Sequence, residues 1–428
     1  MTVQGAEPSR LYDPDPHHLW NRLHETLFIR VGPDGRPYGE DRLDPLVWSS
    51  TRHLLEGDSH RRALRVLDEF LSRHGERLIR DPLERAFLQH DLWVLFDWST
   101  GGSRSGVEQY RRATTELQSR LAVVIRRLAL TAPEIASLPD NYRRAQAGNL
   151  LASLPPGLLQ PAGDWVKVGL DDGTAVAPVH MADFGGRSVF EVWARLPGGR
   201  AATVSYLQAL RSFERPRVDT DAASGSTEGS VARDPRVSDP AVPQFPLGTT
   251  WALVRRMCVL DTEARIHATS VVESVQVRRY NLVPTSATVP NDESRGAQSP
   301  FEFAASRERH GDLREVLDGE RGFPFVQFRS LGIDPFEYYE EHPVAAEEAR
   351  DFAAKVESDV LGSCGRCHTG AGIRSVNSNP LSSSFAPRRL QLPQLIESDD
   401  DREAQATASW KRQQYDFGLL QGLWAGLP

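Results

Sequence analysis

Along residues 59–74 apolar side chains return every three or four positions: Leu64, Leu67 and Leu71, with Val66 and Phe70 beside them and charged residues between. An α-helix turns once in 3.6 residues, so this spacing gathers the apolar groups on one broad stripe and predicts a helix packed on a core. Pro82 opens a second helix, since proline is tolerated in a first turn where its missing N–H is not needed. Leu83, Phe87, His90, Val94 and Trp98 recur along it. His90 falls on that apolar face, where a hydrogen-bonded core histidine is expected before a ligand. A longer stripe of Tyr110, Leu117, Leu121, Val124, Ile125 and Leu128 predicts a third helix over 107–130. Residues 16–150 therefore read as a helical bundle.

Near Trp165 the period changes. Residues 165–170 read as a strand, Asp171-Asp172-Gly173 as a tight turn and 174–177 as its return strand. A third strand is expected at 189–195 and a covering helix at 201–213. Residues 215–243, rich in Pro, Asp, Ser and Gly, predict an exposed linker. Strand character resumes at 249–260, 270–280 and 301–306. Beyond them Ala345, Ala349, Phe352, Val356 and Val360 share one helix face, and Gly362 ends that helix. A terminal helix from about Asp401 carries Trp410, Phe417, Leu420 and Trp424, with Gly418 and Gly422 offering a small side to a close neighbour. The expected architecture is α+β and multidomain: a helical domain at 16–150, a β-rich α+β domain at 160–335 with the exposed linker 215–243, and a small all-α domain at 344–428.

Composition narrows the function. With 428 residues, 39% hydrophobic and 25% charged, the chain can bury several cores without staples. The net charge is -8 and the basic residues are interspersed with acids, which excludes the basic footprint of a nucleic-acid binder. No stretch approaches the roughly 20 apolar residues of a membrane span. The middle region holds no Gly-rich phosphate loop, nucleophile elbow or His-Glu-x-x-His motif.

The most specific signal is Cys364-Gly365-Arg366-Cys367-His368. Two thiols three positions apart can each form a thioether to a haem vinyl group, and the adjoining histidine can ligate the iron. A zinc site needs four converging ligands, and neighbouring Cys367 and His368 diverge in most backbones. A thioredoxin-like dithiol wants a helix beginning at the motif, whereas here the predicted helix precedes it. A disulfide or a metal clip without haem stays open. Cys258, the third cysteine, lies in an apolar run and reads as buried and inert.

With a helix ending at C-x-x-C-H and an aromatic helix closing the chain, residues 344–428 resemble the class I cytochrome c family. The resemblance implies one covalent haem c, with Cys364 and Cys367 as attachment sites and His368 as proximal iron ligand. Gly370 and Gly372 match the family's glycine-rich loop, but its proline beside the histidine is missing. Family members also take a Met ligand from the segment after the motif, and neither Met nor His occurs beyond His368. Met181 is the resulting choice for the distal ligand, with its neighbour His180 as substitute; an open sixth site is equally compatible. The function so implied is electron transfer by a periplasmic or otherwise exported monohaem cytochrome to a redox partner protein, with no oligomeric state set by the sequence. A carrier is expected over an enzyme, since no catalytic residues are apparent. Alternatives are a five-coordinate haem sensor or enzyme using an upstream histidine such as His180 or His310, and a non-haem binding or scaffold protein. Met1 to Pro16 shows no basic and apolar leader, so the expectation is a start that lacks its export signal.

Overall fold

The helical stripes form as their spacing predicts: α1 (Leu19–Phe28), α2 (Gly57–Ser72), α3 (Pro82–Thr100) and α4 (Glu108–Leu128). The computed structural model describes residues 10–39, 51–101, 108–148, 151–212, 217–219, 236–238, 243–283, 297–316, 334–342, 352, 372–376, 395–398 and 401–426. α2 buries Ala63, Val66, Leu67 and Phe70 and turns its charges outward. α3 starts where Asp81 accepts the N–H groups of Leu83 and Glu84, with Pro82 in the first turn. It is then buried on all sides from residue 86 to residue 99, because it lies between α4 and a sheet. Two short helices, α5 (Ala132–Ala136) and α6 (Asn141–Ala147), lead to that sheet.

A small ribbon pairs β1 (Arg30–Val31) with β2 (Pro37–Tyr38). The main sheet is antiparallel with seven strands: β3 (Val166–Leu170), β4 (Ser188–Arg195), β7 (Thr250–Leu260), β8 (Ile266–Tyr280), β9 (Gln298–Ala305), β10 (Leu313–Glu315) and β11 (Leu395–Glu397), in the order β10-β9-β8-β7-β4-β3-β11. Side chains alternate between its faces. Val254, Val272, Val275 and Phe303 pack with Tyr142 of α6, while Val166, Val168 and Ala194 pack with Tyr206, Leu207 and Leu210 of α8 (Gly199–Arg211). The bundle covers the far end of β7 and β8 through Leu83, Ala86 and Phe87 on Met257, Val259 and Val271.

Several expectations are corrected. Residues 174–177 are not a strand; β3 pairs with β4 and β11 instead. Ala175 and Ala177 turn into an apolar cluster, and the Val176 N–H donates to the Glu403 carboxylate at 3.0 Å, not to a strand. Helix α7 (Pro178–Asp183) follows directly. Within the expected linker, β5 (Arg217–Asp219) pairs with β6 (Arg236–Ser238). Past a short helix α9 (Pro335–Glu341) and one turn α10 (Ile373–Val376), the terminal helix is two helices, α11 (Arg402–Arg412) and α12 (Tyr415–Ala425), separated where Gln414 is extended. Gly418 and Gly422 face open space, with nothing within 4 Å of a Cβ placed there. α12 packs instead through Phe417, Leu420 and Trp424, in the same core as Trp20 and Trp93 of the bundle. The described parts of 344–428 thus include a sheet edge and helices seated on the bundle, and no separate all-α unit is present among the described residues. Of the helix expected to precede the motif, only Phe352 is described.

Candidate functional site

Cys364, Cys367 and His368 lie outside the described residues, so their setting is built from the chain on either side. Upstream, the Phe352 ring is fully buried among Tyr38, Phe336 and Tyr339, with centroids 5.3, 5.3 and 5.4 Å away. It passes so close to Gly32 that a Cβ there would lie 2.6 Å from it. Downstream, α10 is pinned to the end of the sheet. The Ile373 N–H donates to Gln244 Oε1 at 2.9 Å, and Ser375 Oγ lies 2.7 Å from Tyr280 Oη and accepts from Gln298 Nε2 at 3.1 Å. Ile373 is fully buried with Phe245, Trp251 and Tyr280.

The sulfur and imidazole groups expected to matter divide clearly. Cys258 is buried in β7; burial, reinforced by the charge of Glu273, pushes its thiol up to about 12. It is therefore an inert core thiol. Met257 is fully buried beneath α3. Met181 is buried on α7 among Ala175, Ala177 and Phe190, near Trp410 of α11. Beside it, the half-buried His180 ring stacks on Phe190 with centroids 5.5 Å apart. Burial and the charge of Arg278 lower its pKa, against Asp183, which favours the neutral imidazole. His310 sits in an exposed turn with φ 48° and its Nδ1 3.4 Å from Glu84 Oε1.

His90 is a hydrogen-bonded core histidine, as its position on the stripe predicted. Its Nδ1 lies 3.1 Å from the Cys258 carbonyl oxygen and its Nε2 3.3 Å from Glu273 Oε1. It belongs to a set of buried charges that sequence reasoning missed. Glu273 accepts from Ser188 Oγ at 2.6 Å and from Arg255 Nη2 at 2.9 Å. Burial alone would raise its carboxyl, but Arg255 and His90 outweigh that and hold it below the usual carboxylate range. Register shifts in β7 on either side of Arg256 allow Arg255 to reach Glu273 while Arg256 reaches Glu191 at 2.8 Å. Also on α3, the adjoining Asp91 pairs with Arg307, and Asp97, two turns on, takes Arg187 at 2.5 Å and Lys411 at 2.6 Å. The available signal was Gln89-His90-Asp91 and Asp97 inside an otherwise apolar run. Each charge here has an opposite partner, so the arrangement fixes helix to sheet and offers no open reacting site.

Among the described residues no group of three or more His, Cys, Asp and Glu is placed to hold a metal ion, and no helix is long and apolar enough to cross a membrane. Comparison of the chain with protein-family models, curated proteins and solved structures finds no match.

Proposed function

We propose that the protein carries one covalent haem c on Cys364 and Cys367, with His368 as an axial iron ligand, and that it transfers single electrons to and from a redox partner protein on the exported side of a membrane. The observation that carries this reading is the C-x-x-C-H spacing itself. The structure supports it from the other side. Cys258 is locked in the core as an inert thiol, which is consistent with the motif pair being the one that takes the haem. Two thiols and a neutral imidazole are the donor set that covalent haem takes, and bound haem would supply the one-electron couple. This chain's own part is to hold the segment: Tyr280, Gln298, Gln244 and the apolar pocket of Ile373 fix its downstream end to a rigid sheet.

Coexpression with a haem-attachment system tests it. The expected product is red, keeps its haem on the chain through denaturing electrophoresis, and shows a reduced spectrum unaltered on brief exposure to carbon monoxide. Rapid carbon monoxide binding would instead favour a five-coordinate sensor or enzyme. A colourless product under these conditions would contradict the proposal.

A further inference from the structure

We infer that Glu403 is a pH-operated latch: its uncharged carboxyl keeps residues 174–184 closed on α11, and its ionisation lets that segment swing open on the glycines at either end. The segment connects β3 to β4, carries α7 and packs against α11. Glu403, Ala406 and Trp410 recur three and four positions apart and so share one face of α11. Ala406 and Trp410 pack there on Ala175, Ala177, Met181 and Phe190, with Glu403 at the head of the same stripe. Its Oε2 accepts the Val176 N–H at 3.0 Å and ties the segment's backbone to α11, whereas Met181 and Phe184 donate within the segment, to Ala177 and His180. Gly173 at φ 72° and Gly185 at φ 59° bound it in the left-handed region, where glycine turns at no steric cost.

Glu403 differs from Glu191 and Glu273, the acids buried on β4 and β8, in lacking an ion pair among the described residues. Glu191, close enough to repel it, takes both nearby cations, Lys167 of β3 at 3.1 Å and Arg256 of β7 at 2.8 Å, and Arg256 also pairs with Asp401. Arg402, its neighbour on α11, donates to the Leu170 carbonyl at 3.1 Å. Glu403 Oε1 is buried with no hydrogen-bond partner among the described residues. A carboxylate so enclosed is costly to charge. Burial, with Glu191 adding to it, therefore outweighs the Val176 N–H, Lys167 and Arg402 and raises the carboxyl to about 7. Once open, Glu403 meets water and returns toward 4.5, so closure is fully favoured below about pH 4.5 and weakens as the pH rises through about 7. His180 of α7, with Asp183 beside it, has its pKa lowered from 6.5 by burial; it is uncharged across this upper range and does not drive the change.

Hydrogen exchange of the full-length protein tests this. Corrected for intrinsic rates, the Val176 amide of wild type should lose about tenfold of its protection between about pH 6 and about pH 9, and E403Q should keep it. The segment should exchange faster than β7 and β8 and be unaffected by dilute urea, which separates local opening from global unfolding. Circular dichroism checks that E403Q is folded; if it is not, the wild-type profile alone decides. A wild-type profile flat across this range, a segment protected as strongly as β8, or a folded E403Q with the wild-type slope would each overturn the inference. None of these readings depends on haem, so the covalent-haem proposal stands or falls separately.

Discussion

Glu403 and His24 are two buried titratable residues whose burial sets opposite pH limits on the fold. Glu403, 1% exposed at the start of α11, accepts the Val176 N–H, yet burial still raises its carboxyl to about 7 from 4.5. The folded state then binds the proton more tightly than the unfolded one, so its contribution is fully present below about pH 4.5 and is lost as the pH rises through about 7. His24 is enclosed by Tyr12 and Phe28, and burial with the nearby Arg307 lowers its pKa well below 6.5. Its sign is the reverse: the folded state disfavours the imidazolium, and stability falls as the pH drops below 6.5. Replacing Glu403→Gln keeps the shape and removes the charge. The variant is expected to exceed wild type by about 2 kcal/mol in urea unfolding above about pH 7 and to converge on it near about pH 4. A difference that does not change across this range would contradict the assignment.

Among the elements, α2, α3, α4, β4, β7 and β8 were legible because one physical rule, a stripe or an alternation, dictates each of them. α3 illustrates the limit of that rule. Its stripe was correct, but the helix is buried all round, and the charges off the stripe are internal because Arg187, Lys411 and Arg307 arrive from distant parts of the chain to meet them. Spacing along a sequence carries no information about such partners. The hairpin strand expected at 174–177 failed for a related reason: Glu403 and Trp410, more than 200 residues away in sequence, take over that segment. Lys411 is the clearest tie between elements. It is fully buried, with Asp97 at 2.6 Å, Asp416 at 2.9 Å and its ammonium 5.5 Å from the Trp93 ring centroid. Lys411→Met removes the cation between the buried Asp97, which keeps Arg187, and the half-buried Asp416, and is expected to cost about 3 kcal/mol, measured by urea unfolding. Adding Asp97→Asn should restore a large part of it. A loss below about 1 kcal/mol for the single variant would show that the pair does not hold α11 and α12 on α3.

At the scale of the whole molecule, the chain is a seven-stranded antiparallel sheet with a helical bundle at one end, and its C-terminal helices complete the bundle core. The C-x-x-C-H spacing on which the haem proposal rests is visible in the sequence at once, since the proposed thioether chemistry needs only two thiols at that spacing and a histidine. What the sequence concealed was its surroundings: Phe352 seated on the β1–β2 ribbon upstream, and α10 fastened to Tyr280 downstream. Both anchors are packed on a large folded body, and the described chain beyond them belongs to that body at the sheet edge β11 and at α11. Covalent haem is the central proposal, and the intact mass of the protein matured beside a haem-attachment system tests it most directly. The predicted mass is the polypeptide plus one haem, reverting to the bare polypeptide when Cys364 and Cys367 are both changed to Ser. A wild-type mass equal to the unmodified chain, with both motif thiols open to alkylation, would contradict it.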